Sequence, residues 1–265
     1  MMRVYWQILR NEFKTLLRAK WVLGYGLIFL LLTDTLFRFA GGGTEVWVSV
    51  SNIMLLLIPI ISLIYGLLYI YQSRDYLELL LTQPVNRSTL FWGLYTGISA
   101  PLTVAFIVGS ALPLVWLGGL TEGTASQLFL VLTLGSVLTF IFVGLGFVMG
   151  LWFYDDKIKG FGFSIIIWLF MAIIYDGLIM VVIFLFGDYP LETGIIAVTM
   201  LNPLDLARIL ILMEFDISSL MGYTGAVFNQ FFGTSLGTIA SLAMLSLWLV
   251  IPSWMGLRVF KKKDF

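Results

Sequence analysis

Few side chains in this sequence could do chemistry, and they fall into two sets. The first lies in apolar surroundings. Asp176 sits inside the run Phe161 to Phe186, where an ionised group costs at least about 2.5 kcal/mol unless paired or hydrated. Such a residue either lines a cavity for a cation or polar substrate or hydrogen-bonds to a neighbouring span. Downstream, Asn202 and Pro203 make a turn signal, and Asp205 and Arg208 follow three residues apart, acid and base on one side of a new helix. Asp34 and Arg38, four apart near the end of an earlier apolar run, read as a structural pair. The second set is polar in its setting. Asp75 and Glu78 are acids three apart within YQSRDYLELLLTQPVNR, Tyr71 to Arg87. They form either a solvated face or a surface for basic groups on a partner.

The chain contains no histidine and no cysteine. That removes the commonest metal ligand, thiolate nucleophiles and the usual general base near neutral pH, so zinc, haem or triad chemistry has no ready residues. No GxxxxGK[ST] string occurs, so ATP could power this protein only through another chain. Gly144, Gly146 and Gly150 lack the spacing of a dinucleotide fingerprint. Gly146 and Gly150, four apart in an apolar run, instead predict close helix packing. The methionines form no Met-x-x-Met ladder that would suggest direct copper binding.

These residues need a membrane framework. With 60% apolar and 11% charged residues and a mean hydropathy of +1.01, the chain is far from the roughly 25% charged composition of soluble domains. About 20 apolar residues cross a bilayer, which predicts an all-α integral membrane fold with six spans. They run from Trp21 to Ala40, Val46 to Tyr71, Leu90 to Leu117, Ala125 to Phe153, Phe161 to Phe186 and Thr234 to Val259. Residues 1–20 form a basic amphipathic helix, either a charge anchor or an elbow that contacts a partner. With both termini cytoplasmic, 13 of the 15 basic residues lie inside and only Arg38 and Arg208 elsewhere, the asymmetry that sets orientation. A seventh crossing at Ile195 to Leu212 would put Lys261, Lys262 and Lys263 outside. The segment is read instead as short re-entrant helices joined at Asn202-Pro203. Residues 187–233 then form the outer surface, where Asp188, Glu192, Asp205, Glu214 and Asp216 stand against Arg208 alone. This electronegative patch either steers a basic partner or merely follows from keeping bases inside.

The stretch at 72–89 organises the rest. As a helix it sets Asp75, Glu78 and Leu79 on one face and Leu77, Leu80 and Leu81 on another, a short helix at the membrane surface. Pro84 ends it and biases Gln83 away from helical geometry. Ser88 or Thr89 is expected to cap the following span.

LELLLTQPVNRSTLFWG, Leu77 to Gly93, resembles the first cytoplasmic loop of the ABC type-2 permease family, and within it the NosY-type permeases of nitrous-oxide-reductase maturation. The likeness extends through LRNEFKTLLRAKW, LNPLDLARIL at Leu201 to Leu210, and the terminal FKKKDF. Many family members carry Glu-x-Gly-Thr before the leucines, whereas Arg74, Asp75 and Tyr76 stand here. The resemblance implies a single permease domain over 1–265 in a bacterial inner membrane, paired with a second copy. It implies a separate ATPase dimer holding ATP and Mg, with no cofactor in this chain and no nucleic-acid partner. By position Asp75, Glu78, Leu79, Gln83, Pro84 and Arg87 would form the coupling site, Asp155, Asp156, Lys157 and Lys159 a secondary contact, and Asp176 part of the pathway. Asn202, Pro203, Asp205, Arg208, Glu214 and Asp216 would form an outer gate or docking surface for a NosD-like periplasmic protein, with copper or sulfur delivery as the task. The rival readings are an exporter of drugs, lipids or peptides, and a proton-driven carrier acting alone through Asp176.

Overall fold

The computed structural model describes residues 2–39, 44–82, 85–117, 122–186, 192–214 and 234–263. Among them the chain is all helix. A surface helix α1 (Met2–Leu17) leads into α2 (Lys20–Phe39), α3 (Thr44–Gln72), the short α4 (Arg74–Leu81), α5 (Arg87–Trp116) and α6 (Glu122–Trp152). Then come α7 (Lys157–Leu169), a π-helical turn (Phe170–Ile174) continuing as α8 (Tyr175–Phe186), α9 (Glu192–Met200), α10 (Pro203–Glu214) and α11 (Ser235–Lys262). Six helical stretches are long and apolar enough to cross a membrane: α2, α3, α5, α6, the α7–α8 rod and α11. They agree with the six runs expected from sequence.

Glycines allow the central helices to touch. A Cβ on Gly66 would fall 2.6 Å from the Val143 carbonyl oxygen, one on Gly150 2.9 Å from Ile70 Cβ, and one on Gly146 2.9 Å from the Leu67 amide nitrogen. The expected packing role of Gly146 and Gly150 is therefore met against α3, where small residues replace the hydrophobic drive that lipid does not supply. Between α5 and α6 the Tyr95 hydroxyl donates to the Phe140 carbonyl at 2.8 Å.

The α9 and α10 helices meet at a bend of 111° over Leu201 and Asn202. Two observations count the crossings. Arg87, at the start of α5, donates from Nη1 to the Lys261 and Lys263 carbonyls at 2.8 and 2.9 Å, so the end of α11 lies on the same side as α4. The intervening α5, α6, α7–α8 and α11 already make an even number of crossings, and a fifth at α9–α10 would separate those partners. The shared side fits a hairpin that turns back on itself, and among the described residues six candidate spans stand. Pairing of α1 with the first turns of α5, where the Tyr5 hydroxyl lies 3.0 Å from Thr96 Oγ1, puts the N-terminal helix on that side too.

Two local details differ from or refine the sequence reading. The cap of α5 is Asn86, not Ser88 or Thr89, because the Asn86 Oδ1 accepts the Ser88 amide at 2.9 Å while its own backbone stays extended. Asp34 and Arg38 form the expected pair at 2.7 Å, and Asp34 also accepts from the Trp116 indole at 2.9 Å, tying α2 to the far end of α5.

Candidate functional site: the exposed face of the short helix and an ionic cluster at the opposite end

On the side shared by α1 and the Lys263 end of α11, α4 is anchored chiefly by Leu77, with Leu80 and Leu81 half-buried against the core, and presents Asp75, Tyr76, Glu78 and Leu79. Leu77 is fully buried, a contribution of about 1.5–3 kcal/mol for a leucine. Its neighbours Asp75 and Glu78 are exposed, and Leu79 is 59% exposed, an unusual placement for a leucine beside two acids. The two faces are thus those expected from spacing. Gln83 and Pro84 lie outside the described residues. Thr82 closes the helix by donating from Oγ1 to the Leu79 carbonyl at 2.7 Å.

Arg74 links α4 to the next loop. Its guanidinium reaches Glu78 at 3.4 Å and Asp155 at 3.6 Å, and stands 4.6 Å from the centre of the Tyr154 ring. Lys263 approaches the same ring at 4.8 Å, so the chain's tail joins this surface. Arg87, expected at the coupling site, spends its donors on that tail. Asp156 caps α7 by accepting from the Lys159 amide at 3.1 Å and pairs with Lys159 Nζ at 2.9 Å. The amide bond, chiefly, holds its carboxyl below the usual carboxylate range.

One residue of this face was not found from sequence. Glu12 on α1 is only 8% exposed, and the Cβ that Gly97 lacks would sit 2.7 Å from its own Cβ. Burial pushes its carboxyl above the ordinary range, opposed by the neighbouring hydroxyls of Tyr69 on α3 and Tyr76 on α4. Glu12 therefore stands where the surface helix, two spans and α4 converge. The signal was available: Ile8, Glu12 and Leu16 follow one another at i, i+4, i+8, so the acid belongs to the apolar stripe. Beside it a polar groove of about 430 Å³, lined by Gln7, Arg10, Asn11, Lys14 and Tyr76, runs between α1 and α4.

At the opposite end the structure joins two groups of residues that sequence left separate. Arg208 on α10 pairs through Nη1 with Asp176 Oδ2 on α8, and lies 3.5 Å from Asp205 Oδ1. Asn202 orients the hairpin: its Oδ1 accepts the Leu204 amide at 3.1 Å, and its Nδ2 donates to the Met171 carbonyl at 2.8 Å. Met171 belongs to the π-helical turn, in which the Tyr175 amide reaches back five residues to Phe170. A wider turn of this kind re-aims the next residues of the helix, here Tyr175 and Asp176. The Tyr175 hydroxyl in turn donates to the Val198 carbonyl on α9 at 2.5 Å. Pro203 is buried at the first position of α10, and Glu214 is exposed at its end. Asp216 and Asp188 lie outside the described residues, as does the side chain of Glu192.

Comparison with known proteins agrees with this architecture. A family model described as ABC-2 family transporter protein matches residues 34–265. The chain is similar to the "Probable ABC transporter permease protein NosY" of Pseudomonas aeruginosa, 26% identical over 271 aligned residues that cover 96% of this chain and 94% of that one. The protein of the same name from Stutzerimonas stutzeri is 23% identical over 273, covering 96% and 95%. A family match over most of the length, six spans and no nucleotide-binding loop together mean that this chain belongs to the ABC-2 transporter family, as a NosY-like, multi-pass permease subunit of an ABC transporter.

Proposed function

We propose that α4 is the coupling helix through which a separate ATPase dimer, loaded with ATP and Mg, drives this permease. The observation that carries the reading is the division of α4 into a buried anchor, Leu77, and an outward face of Asp75, Glu78 and Leu79. A short helix held along one apolar side, by Leu77 with the half-buried Leu80 and Leu81, and flanked by weak, exposed ion pairs can be gripped and pushed by a partner without dismantling the bundle. By family resemblance the side bearing α1, α4 and the Lys261–Lys263 tail is cytoplasmic, in a bacterial inner membrane. The charge asymmetry supports the same orientation.

Two copies form the working unit. Support comes from the α7–α8 rod, whose most apolar stretch has no residue buried within a single chain, although it carries the Asp176–Arg208 pair at 38% and 30% side-chain exposure. Charges left facing hydrocarbon cost about 2.5–3.5 kcal/mol each, which favours a second copy and a polar pathway between the copies over lipid. Closure of the ATPases would tilt the rod and, through Arg208, the outer hairpin. The hairpin then signals to or receives cargo from an extracytoplasmic partner of NosD-like type, and the NosY resemblance favours a copper or sulfur species over a drug, lipid or peptide.

Glu78→Arg tests the coupling reading. The variant is expected to insert and fold normally while losing ATPase assembly or the stimulation of ATP hydrolysis in reconstituted membranes. Normal assembly and normal stimulation would refute it.

A further inference from the structure

The pairing of Asp176 with Arg208 leaves Asp205 with the longer of the two contacts to that guanidinium, yet Asp205 is the more enclosed acid. Its side chain is 5% exposed, its Oδ1 lies 3.5 Å from Arg208 Nη1, and its Oδ2 is buried with no hydrogen-bond partner among the described residues. The charged groups facing it are Asp176 and Arg208, with Tyr175 and Asn202 as polar neighbours. Among the described side chains of α3, α6, α9 and α11, which pack against α10, no further acid or base faces it. Two carboxylates therefore share one guanidinium in apolar surroundings, and the cluster carries one negative charge too many.

A small ligand can cancel that charge in two ways. A metal cation would need several oxygen donors around it and would have to sit beside the Arg208 guanidinium, which repels it. A proton needs one lone pair, and Asp205 Oδ2 offers one. We propose that Asp205 Oδ2 is a proton-binding site of this permease, occupied while Arg208 is paired with Asp176 and emptied when Arg208 turns to Asp205. Binding adds one proton to the carboxylate and breaks no other covalent bond. The resulting acid has an O–H to direct at the neighbouring Asp176 carboxylate, and the cluster becomes neutral. On release the proton leaves by the half-exposed Asp176 side. Arg208 can exchange its partners over this range because one guanidinium nitrogen already serves both acids. Proton occupancy thereby sets how firmly the α9–α10 hairpin is pinned to α8, independently of how α4 is driven.

The test uses the intact transporter in membranes and dicyclohexylcarbodiimide, which attacks protonated carboxyls in apolar settings, followed by peptide mass mapping. Asp205 is expected to take the label, with a yield that falls about tenfold per pH unit once the site titrates. Asp205→Asn should remove that label while leaving assembly intact, since the amide mimics the protonated acid in shape. Modification of Glu12 maps to a different peptide and does not confuse the result. Absence of label on Asp205 at every pH, a pH-independent yield, or transfer of the label to Asp176 would overturn the proposal. Protection of Asp205 by sodium at fixed pH would overturn it in favour of a metal cation.

Discussion

The two charged regions of this molecule use the same residue types to opposite ends. Around α4, Arg74, Glu78 and Asp155 are all roughly half or more exposed and meet at 3.4 Å within the helix and 3.6 Å across to the next loop. Such pairs are worth about 0–1 kcal/mol and are readily exchanged for a partner's charges. At the opposite end Asp205 is enclosed, while Asp176 and Arg208 keep 38% and 30% of their side-chain surface exposed in an apolar setting; the three are linked over 32 residues of sequence and steadied by Asn202 and Tyr175. There a broken pair leaves a charge that solvent cannot fully rescue. On the coupling reading proposed above, the contrast is one between a replaceable surface where force would enter and an ionic joint where it would be delivered.

The comparison is broken most directly at Arg208. Arg208→Leu leaves two acids with no base and is expected to cost about 3 kcal/mol, read as a lowered unfolding midpoint in detergent. Asp176→Asn should cost less, because Asp205 remains within reach of Arg208. If both variants were neutral, the outer cluster would be no more than a second solvated surface.

Glu12 sharpens the other side of the comparison, being the enclosed acid among the described residues around α4. Its raised carboxyl pKa means that the folded state holds the proton more tightly than the unfolded chain. Stability from this group is therefore present at low pH and declines as pH rises from the ordinary carboxylate range through the raised value, then levels off. Glu12→Gln should flatten that decline, as thermal unfolding across the same pH series can show; an unchanged slope would remove Glu12 from the account. The smallest effect belongs to Arg74→Ala, expected to shift stability by less than about 1 kcal/mol, while altering the salt dependence of ATPase assembly.

The spans were legible because each is an apolar run long enough to cross a bilayer, and the two faces of α4 because Leu77 and Glu78 sit one helical step apart. The Asn202-Pro203 break likewise announced the hairpin. What periodicity does not carry is which distant polar residues meet. Asp176 and Arg208 come together only through the 111° bend, which Asn202-Pro203 marks, and the π-helical turn at Phe170–Ile174, which has no residue signature in this chain. The cap at Asn86 was displaced from Ser88 because an extended residue two steps earlier already offers an acceptor to the Ser88 amide. Glu12 is hidden in the sequence among the basic residues of the polar side of α1, although Ile8 and Leu16 mark the opposite stripe to which it belongs.

The central claim is that the outward face of α4 enters the ATPase, and the absence of cysteine from the chain allows a clean measurement. A single cysteine at Leu79, the most exposed leucine of α4, can be crosslinked in native membranes with the cognate ATPase present. A permease–ATPase product is expected from Leu79→Cys, lost or changed on adding ATP, and none from a cysteine at the buried Leu77. No product from Leu79→Cys in a complex that still hydrolyses ATP and assembles would contradict the claim.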